Sequence, residues 1–365
     1  GYGFLSENAA FAQRCELEGV VFIGPKPDTI EAMGSKIAAR NVMQKAGVPV
    51  VPGWSEDIPT VDEALRIAQD IGYPMLLKAS AGGGGIGMQV VTNSEELKKA
   101  FDSTKQRAQN YFGSGEVFLE KWINQPRHIE VQVVRDTHGN ALHLYERECS
   151  IQRRNQKVIE ESPSPFLTEE WRKALLEAAL KGIEAIGYTN LGTMEFIFDS
   201  EGHFYFLEMN TRLQVEHPVT EAITGLDLVE LQLKIAAGEP LGLRQADLKQ
   251  SGHALECRVY AEDPKTFYPS PGPVKTLALP EGARYDFAVE TGNQVTPFYD
   301  PMIGKVITHG PNRQTSIEKM TRVLEEMTIE GLKTNLPLLI GICRHEGFRE
   351  GRFDTGFLSR NKVLG

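Results

Sequence analysis

The chain has 365 residues, of which 41% are hydrophobic and 24% are charged, and its formal net charge is −10. This length and composition are typical of a protein that buries a sizeable core in two or three domains. No apolar run reaches membrane-spanning length and no long basic run occurs, so we expect neither a membrane nor a nucleic acid as partner. The four cysteines lie far apart in the sequence and form no Cys-x-x-Cys motif, so neither a zinc site nor a disulfide framework is indicated. We therefore expect the protein in a reducing cytoplasm.

The N-terminal stretch begins as though inside a domain. It reads GYGFLSENAAF, without an initiator Met, and we expect a fragment of a larger fold. The apolar residues 20–23 precede a Gly-Pro pair and predict a buried strand. Residues 29–47 then have the spacing of a helix, with Gly47 as its stop signal.

The next segment predicts a small unit of helices and strands around a glycine-rich stretch. A helix begins at Thr60, which is placed to form a capping box with Glu63. Residues 73–80 are a strand by composition and lead into AGGGGIGM. Further strands are predicted at residues 89–91 and 116–123.

Two hairpins and several helices make up the rest of the pattern. Alternating segments flank a turn at residues 136–140, and the second hairpin, GTMEFIFDSEGHFYFLEMN, turns at residues 199–202. Between them lies a long amphipathic helix capped by Thr168. Beyond them come a helix capped by Asp227, short strands with Pro-rich turns, and a helix at about residues 315–327. Hairpins mixed with helices predict an α+β fold rather than one doubly wound sheet.

Residues 82–85 and Gly87 form a glycine loop directly after a strand. Without Cβ atoms, the backbone N–H groups of such a loop can approach phosphate oxygens closely. Lys78, just upstream, could place a positive charge on the same phosphates. The spacing fits neither a Walker loop nor a dinucleotide fingerprint. We therefore predict a phosphate-binding loop, and an ordinary surface loop is the alternative.

The second hairpin carries carboxylates on one face. If its turn is centred at residues 200–201, Glu208 lies opposite Thr193. Glu195 is then the diagonal neighbour of Glu208, roughly 7–8 Å away at Cα. Two carboxylates this close need a cation or a proton between them, and such hard oxygen ligands suit Mg²⁺. Asn210 is next on this face and could add a carbonyl oxygen to the metal.

The alternation of polar residues continues through EMNTRLQVEHP. In an extended chain, Arg212, Gln214 and Glu216 follow on the same face at intervals of about 6.6 Å, which is too long for one metal site. They predict a row in which an anion-binding arginine is followed by a carboxylate able to act as base. A solvent-exposed strand is the alternative. However, the composition of FYFLEMN is that of a buried strand, whose carboxylate needs a partner.

These motifs, together with GYGFLSEN, FIGP, RHIEVQV, QRRNQKVIEESPSP, GTMEF and ECRVYAEDP, resemble biotin carboxylase over essentially the whole chain. That family is the ATP-grasp component of the biotin-dependent carboxylases. The resemblance implies an α+β ATP-grasp fold with a mobile Gly-rich lid, a remnant of an N-terminal α/β domain and a C-terminal mixed α/β domain. The implied boundaries are 1–33 for the remnant, 34–240 for the ATP-grasp domain with its lid at about 53–123, and 251–365 for the C-terminal domain.

The resemblance also implies a reaction. Biotin on a biotin carboxyl carrier protein would be carboxylated at N1′ with ATP, Mg²⁺ (or Mn²⁺) and bicarbonate, through carboxyphosphate. Carboxyltransferase subunits would pass the carboxyl group to an acceptor, for which acetyl-CoA, propionyl-CoA, other acyl-CoAs, pyruvate and urea are open. The chain has no Ala-Met-Lys-Met site for attaching biotin, so the biotin is expected on another chain or domain. A homodimer is expected for the full-length protein.

The residue roles that the resemblance implies fall into three sets. The ATP-binding set is Lys36, Lys78, Gly83, Gly84, Gly85, Met88, Glu120, Lys121, Ile123, His128, Gln152, Asn155 and Ile197, with Leu76 also at the adenine. The metal set is Glu195, Glu208 and Asn210. The catalytic and substrate set for bicarbonate and biotin is Lys157, Arg212, Gln214, Val215, Glu216 and Arg258. Within it, Glu216 would be the general base and Arg258 would face biotin.

Each of these residues also has an ordinary structural interpretation. Single lysines usually lie on the surface, and Arg258 could simply pair with Asp263 or Glu262. Three positions depart from the family pattern, one of which is Ala81 in the lid, where some members have Gly. Asn155 stands in QRRNQK where the family usually has His, and it cannot carry a charge. Ile86 stands in the lid where some members have Arg, which removes a cationic contact.

Two other functions are open at this point. Another ATP-grasp ligase, which joins an acyl phosphate to an amine, would share the lid and the metal carboxylates. It should lack the combination of RLQVEHPVTE and ECR that this chain has. The second alternative is a truncated protein that binds ATP without turnover. ATP binding without bicarbonate-dependent hydrolysis would favour that alternative.

Overall fold

The structure is a computed structural model, and it describes residues 1–54, 56–81 and 87–364. In these ranges the helices are α1 Ala9–Leu17, α2 Pro27–Gly34, α3 Lys36–Lys45, α4 Val61–Ile71, α5 Ser94–Phe112, α6 Glu169–Ala185, α7 His217–Thr224, α8 Leu228–Ala236, α9 Arg313–Glu326, α10 Leu336–Arg344, α11 Glu346–Arg349 and α12 Phe357–Arg360. The strands are β1 Met75–Ala79, β2 Met88–Val91, β3 Val117–Lys121, β4 Arg127–Arg135, β5 Ala141–Arg153, β6 Gln156–Ser162, β7 Asn190–Phe198, β8 Phe204–Asn210, β9 His253–Tyr260, β10 Gly272–Pro273, β11 Thr276–Ala278, β12 Arg284–Phe287, β13 Gln294–Val295, β14 Met302–Gly310 and β15 Thr328–Glu330. None of these helices has both the length and the apolar character needed to cross a bilayer.

An eight-stranded sheet forms the body of the molecule, in the order β12-β14-β9-β6-β5-β4-β7-β8. Every neighbouring pair in it is antiparallel. The two hairpins predicted from the sequence are β4–β5 and β7–β8. The pairing of β6 with β9 matters most for function, because Ile159 lies opposite Cys257. This register brings Arg258 alongside residues that come about 100 positions earlier in the chain.

Helix α6 supports the strands that carry much of the site. Thr168 accepts a hydrogen bond from the N–H of Trp171, which confirms the predicted cap. Leu175, Ala179 and Ile183 of this helix are fully buried and join a core cluster with residues of β4 and β7. The apolar stripe of α6 therefore holds the back of these strands, and their other side chains can be polar.

The three-stranded antiparallel sheet β2-β1-β3 packs with α4 and α5 around a separate core. Ile67, Leu77 and Leu119 lie in this core. Thr60 accepts from the N–H of Glu63, so one of the two bonds of the predicted capping box is present. The strands predicted on both sides of the glycine loop are confirmed as β1, β2 and β3. The loop itself, with Gly83, Gly84, Gly85 and Ile86, lies outside the described residues.

The structure corrects two predictions for the N-terminal part. Residues 20–23 do not form a strand, and Val20 and Val21 are 57% and 67% exposed. An extended segment needs a paired neighbour for its N–H and C=O groups, and among the described strands none pairs with it. The predicted helix at 29–47 is divided into α2 and α3. Ser35 has an extended conformation between them and caps α3 by accepting from Ala38 N–H.

The C-terminal part has its own core, in which β9 and β14 pack against α9 and α10. The predicted helix near residues 315–327 is α9, and Asp227 caps α8 as expected. Buried Glu161 of β6 joins this part to the middle of the chain. It accepts two hydrogen bonds from Arg313 of α9, at 2.6 and 3.0 Å, and lies 2.8 Å from His253 Nε2.

The Glu161 contacts predict how stability depends on pH. Burial alone raises the pKa of Glu161, but Arg313 and His253 outweigh this effect and lower the pKa from 4.5 to about 2. A depressed carboxyl pKa stabilises the native state above the unfolded-state value, and this stabilisation is lost as the pH falls through the native value. We expect Glu161→Gln to lower the free energy of unfolding at neutral pH by about 3 kcal/mol and to flatten its decline between about pH 5 and pH 2.

Urea denaturation across this pH range measures the effect. Glu169→Gln is the matched control, because Glu169 also pairs with an arginine but its side chain is 92% exposed. Surface pairs contribute little, so the control should follow the parent curve. A Glu161→Gln curve as steep as that of the parent would contradict the prediction.

Candidate active site

A cleft of about 400 Å³ lies between the three-stranded sheet and the eight-stranded sheet. The predicted site residues that line it are Lys36, Leu76, Lys78, Met88, Glu120, Lys121, Ile123, His128, Gln152, Asn155, Lys157, Glu195, Ile197, Glu208, Asn210, Arg212, Gln214, Val215, Glu216 and Arg258. Thr355, near the C-terminus, also lines the cleft and was not predicted. The fold thus brings together side chains from both sheets, including Arg258 of β9 in the eight-stranded sheet.

At one end of the cleft, Lys78 is fixed by a buried acidic partner. Lys78 is only 2% exposed, and its Nζ lies 2.9 Å from Glu120 Oε2. The other oxygen of Glu120 accepts from Arg40 Nη1 at 3.0 Å. Glu120 is therefore neutralised by two cations, which places the ammonium of Lys78 at a defined point on the cleft wall. The ammonium of Lys121 donates instead to two backbone carbonyls.

His128 and Gln152 meet in the middle of the cleft. Gln152 Nε2 lies 3.0 Å from His128 Nδ1. His128 Nε2 is 3.1 Å from Glu195 Oε2, close enough for charge attraction but not aligned as a hydrogen bond. Burial lowers the pKa of His128, and the carboxylate of Glu195 more than offsets this, so the net shift is upward.

The backbone explains why Asn155 is tolerated at its position. Arg154 and Asn155 form the two-residue turn between β5 and β6, with φ values of +50° and +65°. A tight hairpin turn with two positive φ values favours Asn, because few other side chains enter the left-handed region. The turn places Asn155 on the wall of the cleft.

The β7–β8 hairpin brings the two predicted metal carboxylates closer than expected. The prediction that Glu208 lies opposite Thr193 was wrong, because Thr193 pairs with Asn210 and Glu195 pairs directly with Glu208. Two differences add up: Phe198 pairs with Phe204, so the turn is centred on residue 201 rather than between residues 200 and 201, and a register shift after Glu195 adds one residue to β8. Directly opposite side chains lie about 4.5–5.5 Å apart at Cβ, closer than the predicted diagonal.

Glu195 and Glu208 fit a divalent cation. Burial raises the pKa of Glu208, and the neighbouring charge of Glu195 raises it further. Lys36 compensates only in part, since its Nζ is 3.7 Å from Glu208 Oε2. A cation between the carboxylates would remove their repulsion. The carbonyl oxygen of Asn210 already accepts from Arg212 Nη2 at 3.0 Å.

Lys157 is the centre of the charged network. Its Nζ lies 2.5 Å from Glu130, 2.8 Å from Glu195 and 2.6 Å from Glu216. Burial lowers the pKa of Lys157, but these carboxylates outweigh it and raise the pKa well above its usual value. His128, Glu130 and Glu195 also lie close enough together to hold a metal. The ammonium of Lys157 already supplies a cation at that point.

Arg147 is a site residue that the sequence analysis missed. It is fully buried, and its guanidinium donates to side chains of Glu130, Gln132, Thr193, Gln214 and Thr220. The contact with Gln214 Oε1, at 2.8 Å, turns the amide so that Nε2 donates to Glu195 at 3.0 Å. One signal was available in the sequence, because Arg147 and Glu130 are cross-strand partners in the first predicted hairpin.

Glu216 lies between two cations at the far end of the cleft. One oxygen accepts from Lys157, and the other accepts from Arg258 Nη2 at 2.9 Å. Burial raises the pKa of Glu216, but Lys157 and Arg258 outweigh it and hold the pKa well below the usual range. Arg258 also donates from Nε to Glu160 Oε1 at 2.6 Å.

The simple ion pairs suggested for Arg258 are not present among the described residues. Glu262 pairs with Arg153, and Asp263 pairs with Lys333. Glu160, a second residue that the sequence analysis missed, takes their place. Burial raises its pKa to about 7 despite the contact with Arg258.

The cleft lies between two α+β units, one with the three-stranded sheet and one with the eight-stranded sheet, and its walls carry lysines and paired carboxylates. This arrangement defines an enzyme of the ATP-grasp class. A family model described as the ATP-binding domain of the carbamoyl-phosphate synthase L chain matches residues 35–244. The models for the biotin carboxylase N-terminal and C-terminal domains match residues 1–30 and 256–360. The chain belongs to the biotin carboxylase family.

Individual relatives agree with this assignment. The chain is 58% identical to biotin carboxylase 2 of Bacillus subtilis over 363 residues, which are 99% of this chain and 82% of the relative. The biotin carboxylase domain of Hydrogenobacter thermophilus 2-oxoglutarate carboxylase, solved as a dimer with MgADP, ADP and bicarbonate, matches with TM-score 0.96 and 49% identity over 98% of this chain and 80% of that one. Biotin carboxylase of Campylobacter jejuni, solved with a β-γ-ATP ligand, matches with TM-score 0.97 and 45% identity over 99% and 81%.

Removing Arg147 tests the network. Its loss removes the donor to Glu130 Oε1 and to Gln214 Oε1, although Lys157 still binds the other oxygen of Glu130. We expect Arg147→Met to lower the free energy of unfolding by about 3–5 kcal/mol, as measured by urea denaturation. The control is Arg14→Met, because Arg14 pairs with Glu18 on an exposed helix surface. A loss no greater than that of the control would contradict the role of Arg147.

Proposed function

We propose that the chain catalyses the ATP- and bicarbonate-dependent carboxylation of biotin held by a carrier protein, through carboxyphosphate. The observation that carries the proposal is the position of Lys157. Its ammonium joins Glu195, at the nucleotide and metal end of the cleft, to Glu216, at the anion end. One cation therefore serves both substrates of the first step. A relative solved with MgADP, ADP and bicarbonate supports the binding of both substrates.

The nucleotide end would hold ATP with its metal. Lys78 and Lys36 would face the phosphates, and the lysine charges would offset the negative charge that builds up on the transferring phosphoryl group. Glu195 and Glu208 would hold Mg²⁺ (or Mn²⁺), with Asn210 beside them. When bound, the metal would neutralise phosphate charge and orient the nucleotide. The apolar side chain of Ile197 would lie against the adenine.

The anion end would hold bicarbonate and activate it. Lys157, Arg212 and Gln214 would bind the anion, and Glu216 would act as base on its hydroxyl group. In the structure, Glu216 is a weak base because both of its oxygens are bonded to cations. An anion that shares these cations would weaken their hold on Glu216, raise its pKa and so make it a better base.

Arg258 would serve the second step. Carboxyphosphate would release CO₂ and phosphate, and this phosphate would take the proton from biotin N1′. The guanidinium of Arg258 would then stabilise the negative charge on the enolate oxygen of biotin. Its present contacts with Glu160 and Glu216 hold it at the mouth of the anion site. A closed cleft would keep water away from carboxyphosphate.

The proposed partners follow from this chemistry. A biotin carboxyl carrier protein would deliver the biotin, carboxyltransferase subunits would use the product, and two copies of the full-length protein would form a dimer. The dimeric Hydrogenobacter thermophilus domain supports the last of these. The four cysteines are free thiols, which supports a reducing cytoplasm as the location.

The role of Glu216 is tested by Glu216→Gln. The amide keeps the shape of the side chain but cannot accept a proton, so we expect bicarbonate- and biotin-dependent ATP hydrolysis to fall at least about 100-fold. Binding of MgADP should change little. Glu201→Gln, on the exposed hairpin tip, is the control and should retain full activity. A rate of ATP hydrolysis that does not depend on bicarbonate, or that the substitution leaves unchanged, would instead favour another ATP-grasp ligase.

The metal proposal is tested by Glu208→Gln. Losing one carboxylate should raise the Mg²⁺ concentration for half-maximal activity by about tenfold or more. The Mg²⁺-dependent gain in thermal stability with ADP should weaken in parallel, which gives a readout independent of turnover. Glu95→Gln, at an exposed pair on α5, is the control. An unchanged Mg²⁺ titration would show that Glu208 is not a metal ligand.

A further inference from the structure

Glu7, in the N-terminal segment, holds the loop that carries the proposed anion-binding arginine. Glu7 Oε2 accepts from Arg212 Nε at 2.8 Å. Glu7 Oε1 accepts from the backbone N–H of Thr211 at 3.0 Å and lies 3.3 Å from its hydroxyl oxygen. These contacts join residues that are more than 200 positions apart in the chain. One carboxylate thus binds both the backbone and the side chain of the loop after β8.

The backbone around Glu7 is itself fixed. The N–H of Ser6 donates to the carbonyl of Gly3 at 3.1 Å, and the N–H of Asn8 donates to the carbonyl of Leu5 at 3.1 Å. Asn8 then caps α1 by accepting from the N–H of Phe11. Glu7 therefore stands between a tight turn and the start of a helix, and its carboxylate is presented from a rigid base.

The contacts of Arg212 leave two of its N–H donors for an anion. An arginine has five N–H donors. Within the described part of the chain, Nε donates to Glu7, Nη2 donates to Asn210, and Nη1 donates to the carbonyl of Leu213. One N–H on each terminal nitrogen is left, and such a pair can bind a two-oxygen anion in a bidentate manner.

We propose that Glu7 is a positioning residue, which holds the guanidinium of Arg212 in the orientation that binds bicarbonate. This inference rests on the proposed function and deepens it. A free arginine side chain has many rotamers, and an anion that binds it must restrict them. Glu7 imposes that restriction in advance through the Nε edge, so it lowers the KM for bicarbonate without touching the anion.

Glu7→Gln separates this role from a general structural one. The amide group places N–H donors opposite the N–H groups of Arg212 or Thr211. The substitution therefore breaks the paired contacts of residue 7 with these two residues but keeps the size of the side chain. We expect the KM for bicarbonate to rise about tenfold, with the KM for ATP and the kcat both within about twofold of the parent. Glu7→Asp, which keeps the charge, should recover part of the affinity. Steady-state ATP hydrolysis with free biotin measures all three quantities.

Glu18→Gln is the matched control, because Glu18 lies in the same N-terminal segment and pairs with Arg14 at an exposed surface. Its kinetic constants should equal those of the parent. A Glu7→Gln variant whose KM for bicarbonate is unchanged, or whose KM for ATP rises as much, overturns the positioning role. A parent protein without bicarbonate-dependent hydrolysis overturns the proposed function, and this inference fails with it.

A double substitution tests whether Glu7 acts through Arg212. In the Arg212→Ala background the arginine is absent, so adding Glu7→Gln should change kcat/KM for bicarbonate by less than about twofold. A second loss of about tenfold, multiplied onto the first, would mean that the two residues act independently and would overturn the proposal.

Discussion

The site depends on one largely buried ammonium that three carboxylates share. Lys157 on β6 lies within 2.8 Å of Glu130 on β4, Glu195 on β7 and Glu216 just before α7. Withdrawing such charges from water costs several kcal/mol for each ion, and a single pair would barely repay it. The network offsets this desolvation cost with two further cations, since Arg147 binds Glu130 and Arg258 binds Glu216. Because these residues come from separate elements, their mutual attraction also fixes the elements relative to one another.

The antiparallel sheet makes this sharing achievable. Strand β9 continues the sheet beside β6, so Arg258 reaches both Glu160 and Glu216 although the chain between them is long. The apolar faces of β4 and β7 pack on α6 and α3, which leaves the opposite face free for charge. A strand alternates its two faces by residue, and this lets one element serve a hydrophobic core and a polar cleft together.

Local signals in the sequence were sufficient for most elements and for the polar row from Glu208 to Glu216, while most other cleft residues came from the resemblance to biotin carboxylase. Thr168 capped its helix as predicted, and the α+β fold followed from hairpins mixed with helices. The failures came where a distant partner decides the outcome. Residues 20–23 have strand composition but pair with no described strand, and the register shift after Glu195 leaves no clear trace in the pattern. Arg147 was missed because a charged residue on a strand is expected to be exposed unless the side chains that pair with its charge are known.

The same network couples the binding of the metal nucleotide to the binding of bicarbonate. In the structure Lys157 divides its charge among Glu130, Glu195 and Glu216, while Lys36 and Lys78 offset the charge of Glu208 only in part. A divalent cation at Glu195 and Glu208 would take over the neutralisation of Glu195. The ammonium of Lys157 would then be released, in part, towards an anion beside Glu216. Binding of the metal nucleotide would therefore strengthen binding of bicarbonate, and by linkage the reverse must hold with the same coupling free energy. An anion that draws Lys157 away from Glu216 also raises the pKa of that carboxylate, so the base becomes effective only when both substrates are in place.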